Sequence, residues 1–443
     1  MQVFLIILTE TLSNSDLTLA HEFFSQLGLC KFVIRSLQRR DGVHDVNYEQ
    51  WKHRSLKELQ SSKVTMSSIP LPPVAERLTH PFYTHDMIFE IPQAISETLQ
   101  NNVGKLSTIV RKTKERKLYR FTGCGTAFFA AMLGTQVMRL AQHNGVESSC
   151  VQALEFQNGE SDIGKSDVAI AISHSGITKT TVDALNYAKT KGAYCVGISH
   201  FQGKPISQVA HETIIAGNGP DKSRCHTKCY VASAVACAKL LIESLKIIDK
   251  LPERLLQLDS QLNKLPQIAK EVLASTDALC KKIAEEEHAT DYFFAGAGPN
   301  FPNALEAALK IMETSFVPAL GFETEQLLHG PWSALDKESL VVVLSPKGTF
   351  YNRNLDLVKA ATTLGVPVIS IVEEGDDKIA SSSDYVIEVP AIDEYLSPFI
   401  NIIPLYLFSY YLSIKRGHNP DLLRYQTLNY WKARGIIFPP GTH

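Results

Sequence analysis

The 443-residue sequence lacks net charge: 44 Lys and Arg stand against 46 Asp and Glu, a balance of −2. A chain so nearly neutral is not a general nucleic-acid binder, and a small-molecule partner is expected instead. Long apolar runs are missing as well. The opening MQVFLIILTE is apolar but too short to span a bilayer and has no basic lead, so neither a membrane span nor a secretory signal is expected. Nor is there a disulfide framework. Eight cysteines lie scattered at 30, 124, 150, 195, 225, 229, 237 and 280, which fits reduced thiols and a cytoplasmic location. With domains averaging roughly 150 residues, the length excludes one ordinary core and predicts two or three.

Residues 1–65 carry no turn chemistry or periodicity that joins them to the rest and read as an unassigned N-terminal extension. The stretch MSSIPLPPVAERL from Met66 has the Ser and Pro content of an ordinary flexible start, so Met66 is expected to be the natural first residue. Residues 66–110 read as lead-in helices.

The stretch AISHSGITKTT, Ala171 to Thr181, places hydroxyls directly after the apolar run DVAIAI. An apolar run closed by small polar residues and followed by a helical pattern predicts a strand, a tight loop and a helix start. The first amides of a helix lack intrahelical partners and the dipole there favours negative charge, so such a loop can hold a phosphate. Ser173, Ser175 and Thr178 supply hydroxyl donors, and Gly176 lets backbone approach the ligand. The alternative is that Ser175 or Thr178 merely caps the helix.

An internal repeat organises the chain. LYRFTGCGTAFFAAMLG near 118–134 resembles DYFFAGAGPNFPNALEAA near 291–308, and AIAISHSG, ending at Gly176, answers VVVLSPKG, ending at Gly348. YCVGISH at 194–200 answers PVISIVE at 367–373 in nearly the same register. Each half alternates strand and helix, with β-branched runs at Val168–Ile172 and Val341–Leu344 too apolar to be half-exposed; such strands belong in parallel sheets covered by helices on both faces. The expected fold class is α/β, two tandem doubly wound parallel-sheet domains of flavodoxin-like type: 111–250, 251–415 and a tail at 416–443. Ligands bind such sheets at the carboxyl ends of strands, where the connection order switches, which brings Cys124, Gly125 and Thr126 beside Ser173, Ser175 and Thr178.

With GCGT, SxSGxT, TK and ALEaaLKxxExS…HGP in order across Phe82–Tyr411, the chain resembles the sugar isomerase (SIS) family, and within it the isomerase half of glucosamine-6-phosphate synthases. Even HDMIFEIPQAI is similar to that family's lead-in segment. The resemblance implies a hexose-6-phosphate ligand whose phosphate is held by Thr126, Ser173, Ser175 and Thr178. Cys124 and Gly125 supply backbone contacts, and His174 stands where the family often has Gln. CHTKC at 225–229 then matches the family's STK, with His226 in place of Ser and Lys228 retained as a further substrate-site residue.

In NALEAALKIMETSF, Glu306, Lys310 and Glu313 fall at spacings of four and three, on one helical face. On its own this is a surface salt bridge; in the repeat, the helix borders the ligand cleft. Aldose–ketose interconversion moves a proton between C1 and C2 through an enediol and needs one positioned base, a task a glutamate suits. The resemblance implies that Glu313 is that base, that Glu306 and Lys310 shape the site, and that His329 in EQLLHGPWS opens the sugar ring while reaching a neighbouring subunit's site, hence a homodimer. A neutral imidazole near pH 7 can shuttle protons; a loop histidine capping local backbone is the other reading.

Other features carry less. CHTKC offers Cys225, His226 and Cys229, but no second ligand pair follows at suitable spacing, so no metal is expected. GAGPNFP lacks the acidic residue some twenty positions on that a dinucleotide loop needs, so no cofactor is expected. In the full synthases a glutamine-hydrolysing domain with a catalytic Cys after the initiator Met precedes the isomerase half. Here Gln2 follows Met1 and about 80 residues lead into the repeat, so glutamine is not expected to be this chain's ammonia source. Ala127 stands where the synthases often place Ser, and Ile177 where the SGET form has Glu. The tail DLLRYQTLNYWKARGIIFPPGTH matches their C-terminus poorly: Lys432 and Arg434 are candidates to close over the site, and Schiff-base chemistry is in doubt. Isomerase, aminosugar-phosphate deaminase and deglycase reactions all stay compatible, and a sugar-phosphate sensor without catalysis is the rival from another class.

Overall fold

The computed structural model describes residues 72–439 apart from 117, 161 and 247–252; the extension over 1–65 and the expected start at Met66 lie outside the described residues. The lead-in region forms α1 (Tyr83–Phe89), α2 (Ile91–Gln100) and α3 (Val103–Thr113). Pro92 sits in the first turn of α2, where a missing N–H costs nothing, and the helix buries Ile91, Ala94, Ile95 and Leu99 along one stripe.

The first half runs β1 (Leu118–Thr122), α4 (Thr126–Met138), β2 (Glu147–Cys150), β3 (Asp167–Ile172), α5 (Lys179–Thr190), β4 (Tyr194–Ser199), β5 (Glu212–Ile215) and α6 (Lys228–Leu245). The long α7 (Glu253–Glu286) leads into the second half: β6 (Asp291–Gly296), α8 (Phe301–Ser315), β7 (Ala319–Phe322), α9 (Thr324–Leu328), β8 (Ser339–Ser345), α10 (Tyr351–Thr363), β9 (Val368–Glu373), β10 (Tyr385–Val389) and α11 (Pro398–Lys415). A last helix, α12 (Leu428–Ile437), lies in the tail.

Both sheets are parallel, in the orders β2-β1-β3-β4-β5 and β7-β6-β8-β9-β10. Chain order is permuted identically in the two, so one flavodoxin-like topology occurs twice, as the repeat predicts. The middle strands β3 and β8 are buried along their whole length, because helices cover both sheet faces.

One connected apolar cluster runs from Ile91 of α2 through Phe121 and Ile170 of the first sheet to Tyr292 and Val342 of the second and Phe408 of α11. Helix α11 is apolar all round and buried from Pro398 to Ser413, as a helix between other elements must be. It is pinned by Tyr411 Oη, which donates to Asp277 of α7 at 2.6 Å, and by Asn303 of α8, which donates to the Pro398 carbonyl at 2.8 Å. Among the described residues no helix is long and apolar enough to cross a membrane.

Candidate active site

The connection order of the first sheet reverses between β1 and β3, and the loops leaving their carboxyl ends face each other. Gly125, with φ +55°, turns the chain from β1 into α4. Gly176, with φ +71°, does the same after β3, and a Cβ there would lie 2.7 Å from Lys204 Cβ and 2.8 Å from Ser199 Oγ. Cys124 Sγ lies 3.5 Å from Thr181 Oγ1 of α5 and ties the two loops together.

Within the second loop the Ser173 hydroxyl accepts from Gly176 N at 3.1 Å and donates to Thr178 Oγ1 at 3.1 Å, while Ser175 Oγ accepts from Ile177 N at 3.4 Å. Thr178 occupies the N-cap position of α5, yet its side chain makes no cap bond, and Gly125 at the N-cap of α4 has no side chain to make one. Capping by Thr178 is therefore not how this loop is used; two uncapped helix starts remain available to an anion.

The second domain supplies a comparison inside the same chain. Its equivalent loop, after β8, is already occupied by a carboxylate. Glu394 accepts from Thr349 N at 3.1 Å and from Thr349 Oγ1 at 3.0 Å, lying against Gly348. The repeat thus builds the same turn twice, and in the second copy a carboxylate of the chain itself binds it.

Helix α8 joins the domains. Lys310, at its centre and 1% exposed, donates to Glu313 at 2.6 Å and to Thr126 Oγ1, the first residue of α4, at 3.2 Å; Glu306 lies 3.4 Å away. Glu306 is fully buried, accepts from Tyr406 Oη of α11 at 3.1 Å, and burial raises its pKa to about 7 against the pull of Lys310. Burial opposes the Lys310 charge, but the two carboxylates outweigh it and hold its pKa well above the ordinary value. Glu313 differs from Glu306 in being 22% exposed at the side chain, so it alone of the pair reaches solvent.

The remaining sequence candidates are placed as follows. Lys228, 2% exposed at the start of α6, donates to Glu90 at 2.5 Å, so its ammonium is already engaged. His329 ends α9, is 69% exposed, and donates through Nε2 to Glu325 at 2.7 Å; Glu325 is also bound by Arg353. No hydrogen bond or ion pair joins it to Glu306, Lys310 or Glu313 within this chain. His226 and His174 stand together, ring centroids 5.5 Å apart, beside Cys229 and Asp221. Burial first, then the neighbouring His226 and His200, keeps the His174 imidazole neutral, its pKa well below the usual range.

Three participants were not legible in the sequence: Tyr406 against Glu306, Glu90 against Lys228, and Asp221. The lead-in stretch HDMIFEIPQAI contains Glu90, but nothing in its spacing points to a lysine so far along the chain.

Comparison with known proteins agrees with this architecture. The SIS domain matches at residues 113–242 and again at 287–416, with α7 between the two stretches. The chain is 29% identical over 351 residues to a glutamine–fructose-6-phosphate aminotransferase (isomerizing) of Thermococcus kodakarensis, covering 79% of this chain and 58% of that one. It is 31% identical over 335 residues to the protein of the same name from Aquifex aeolicus, covering 75% and 55%. It therefore spans little more than half the length of these curated relatives. Among solved structures, the C-terminal domain of glucosamine-fructose-6-phosphate aminotransferase from Francisella tularensis superposes with a TM-score of 0.70 at 21% identity, over 76% of this chain and 97% of that domain. Two matched stretches, twofold use of one sheet order and paired loops at its switch points lead to one assignment: the chain belongs to the SIS domain family and carries that domain twice.

Proposed function

We propose that the chain is an enzyme acting on a hexose or aminohexose 6-phosphate, moving a proton between C1 and C2 of the open-chain sugar. The observation that carries this reading is the Lys310 bridge. One buried ammonium touches Thr126 at the anion loops and Glu313 at 2.6 Å, so phosphate cradle and base sit within one sugar's reach. The relatives' name, an isomerizing aminotransferase of fructose 6-phosphate, supports the substrate class.

The phosphate sits at the starts of α4 and α5, taking hydrogen bonds from backbone amides and from Thr126, Ser173, Ser175 and Thr178. Glu394 in the sister loop supports this: the same turn holds a carboxylate there. The Glu313 carboxylate removes the proton from the carbon beside the carbonyl, the C–H electrons form the enediol double bond, and the carbonyl oxygen takes a proton from solvent. Glu313 then returns the proton to the other carbon while the hydroxyl on the first carbon gives its proton to solvent and becomes the new carbonyl. Lys310 and Glu306 position Glu313, and in the deaminating or deglycating variants of the reaction the proton shift makes the amine-bearing carbon an imine, which water hydrolyses to the carbonyl with release of the amine. His329 serves the site of a second copy in a homodimer. A sensor needs the hydroxyl loop alone; two carboxylates held against one buried lysine favour catalysis.

The test is incubation with phosphorylated hexoses, hexosamines and fructosamines beside their unphosphorylated forms, reading aldose–ketose exchange, ammonia and amine together. Turnover confined to the phosphorylated sugars is expected. Binding without turnover on every member points to the sensor, and equal affinity for free and phosphorylated sugars removes the phosphate assignment.

A further inference from the structure

We infer that the first domain holds a divalent ion of the zinc class on His174, His226 and Cys229, with the Asp221 carboxylate beside the last two. A ring nitrogen of each histidine and the Cys229 Sγ lie within 4.8 Å of one another. Cys229 Sγ is 3.3 Å from His174 Nδ1 and 3.1 Å from Asp221 Oδ2, and His226 Nδ1 is 3.4 Å from that same oxygen. Ligands at about 2.0–2.3 Å from a tetrahedral zinc stand roughly 3.3–3.7 Å apart, so the Cys229–His174 separation is already that of a tetrahedral edge and the other pairs, within 4.8 Å, exceed one by at most about 1 Å.

The donors come from two segments far apart in the chain: His174 from the loop after β3, and His226 and Cys229 from where the loop after β5, which also carries Asp221, enters α6. Hydrogen bonding within the group does not satisfy it. The Asp221 side chain is wholly buried and three donors converge on its Oδ2, while Oδ1 has no partner. His174 Nε2 is likewise buried without a partner. A cation suits this arrangement because a thiol and two imidazoles converge beside a buried carboxylate that supplies the balancing charge. One sulfur and two imidazoles exclude magnesium and calcium, which take oxygen ligands, and suit zinc. On binding, the Cys229 thiol loses its proton to solvent as the metal–sulfur bond forms. The ion ties the anion-holding loop to the start of α6.

CHTKC alone gives no such site, and the structure divides its two cysteines. Cys229 belongs to the group, whereas Cys225, buried in the loop just before α6, does not. This makes the ligand set testable without any sugar, so its fate is independent of the sugar-phosphate reading.

The experiment titrates metal-free full-length protein with zinc by calorimetry and with cobalt(II) by absorbance. One ion per chain is expected, with a thiolate-to-cobalt charge-transfer band and the visible bands of tetrahedral cobalt. Cys229→Ser abolishes the charge-transfer band. His226→Ala, at a side chain 45% exposed and so tolerant of replacement, weakens zinc at least about 100-fold, more than loss of an outer-shell partner does. Cys225→Ser keeps both the band and the affinity. The inference is overturned by wild-type protein that takes up no stoichiometric zinc, by a band that survives Cys229→Ser, or by one lost with Cys225→Ser. It is equally overturned if magnesium displaces the ion at equal concentration.

Discussion

The Lys310 ammonium of the second domain donates to Thr126 Oγ1 of the first at 3.2 Å, and both groups are buried. One cation thus holds a residue of the anion loop and two carboxylates in a fixed relation. Removing it leaves Glu306 and Glu313 facing each other without a counter-charge. Replacement by Met, close in volume, is expected to lower the unfolding free energy by about 3–5 kcal/mol, the cost of breaking a buried pair from one side. Denaturant unfolding measures it; a loss below about 1 kcal/mol shows that the bridge does not organise the site.

The hydroxyl loop gives the next expectation. Thr178→Ala and Ser173→Ala each remove a hydroxyl from the anion cradle, and a hydrogen bond to a charged group contributes about 1.5–3 kcal/mol, so affinity for a hexose phosphate falls about 10- to 100-fold. Thr178 is the cleaner test, because Ser173 also accepts from Gly176 N. Ser333→Ala, at an exposed position, is the control and changes nothing. Calorimetric titration with the sugar phosphate decides, and equal affinity in all three variants removes the loop from the site.

Stability should depend on pH through Glu306. Its folded pKa is raised from 4.5 to about 7, chiefly by burial, so across that window the folded state binds a proton that the unfolded state has released. The associated stability is complete below the unfolded value and is lost as pH climbs through the folded one, by at most about 1.4 kcal/mol per pH unit. Glu306→Gln has no such proton. The unfolding free energy of the Gln variant minus that of the wild type should therefore rise between pH 5 and pH 8, and a flat difference refutes the raised pKa.

The parts of this arrangement that could be read from the sequence are those set by local pattern. Uniform β-branched runs gave buried parallel strands, and the near-constant spacing of Gly176 and Gly348 gave one topology used twice. Glu306, Lys310 and Glu313 share a face because helix periodicity puts them there. What the sequence hid lies across long separations: 184 residues between Thr126 and Lys310, 138 between Glu90 and Lys228, and 55 between His174 and Cys229. Such pairs are products of sheet stacking and helix packing, and no spacing rule reaches them. That CHTKC lies beside His174 and Asp221 is invisible in its own spacing for the same reason.

His329 stands apart from the site of its own chain, exposed and held by Glu325, whose pKa its Arg353 and His329 hydrogen bonds lower to about 2. If it completes the site of a second copy, Glu313→Gln and His329→Ala proteins, each inactive alone, should recover up to about a quarter of wild-type activity when co-refolded in equal amounts. Half the chains then form mixed dimers, each with one intact site. A sedimentation measurement giving only monomer, or no recovery from a demonstrated mixed dimer, returns His329 to a local role.

Glu313 carries the chemistry in this reading because it is the carboxylate of the pair that reaches solvent while still bound to Lys310 at 2.6 Å. Gln keeps its size and its hydrogen-bonding reach but cannot accept the carbon-bound proton. Turnover of the active sugar phosphate should fall by about 10²–10⁴ with affinity nearly unchanged, since the phosphate contacts lie on the other domain. In heavy water the wild type should place deuterium at C1 or C2 of recovered sugar, and the Gln variant should not. The isotope separates this from a purely structural role, for a distorted site loses binding and exchange together. Exchange at the wild-type rate in Glu313→Gln assigns the base to another residue and leaves α8 as a scaffold between the two domains.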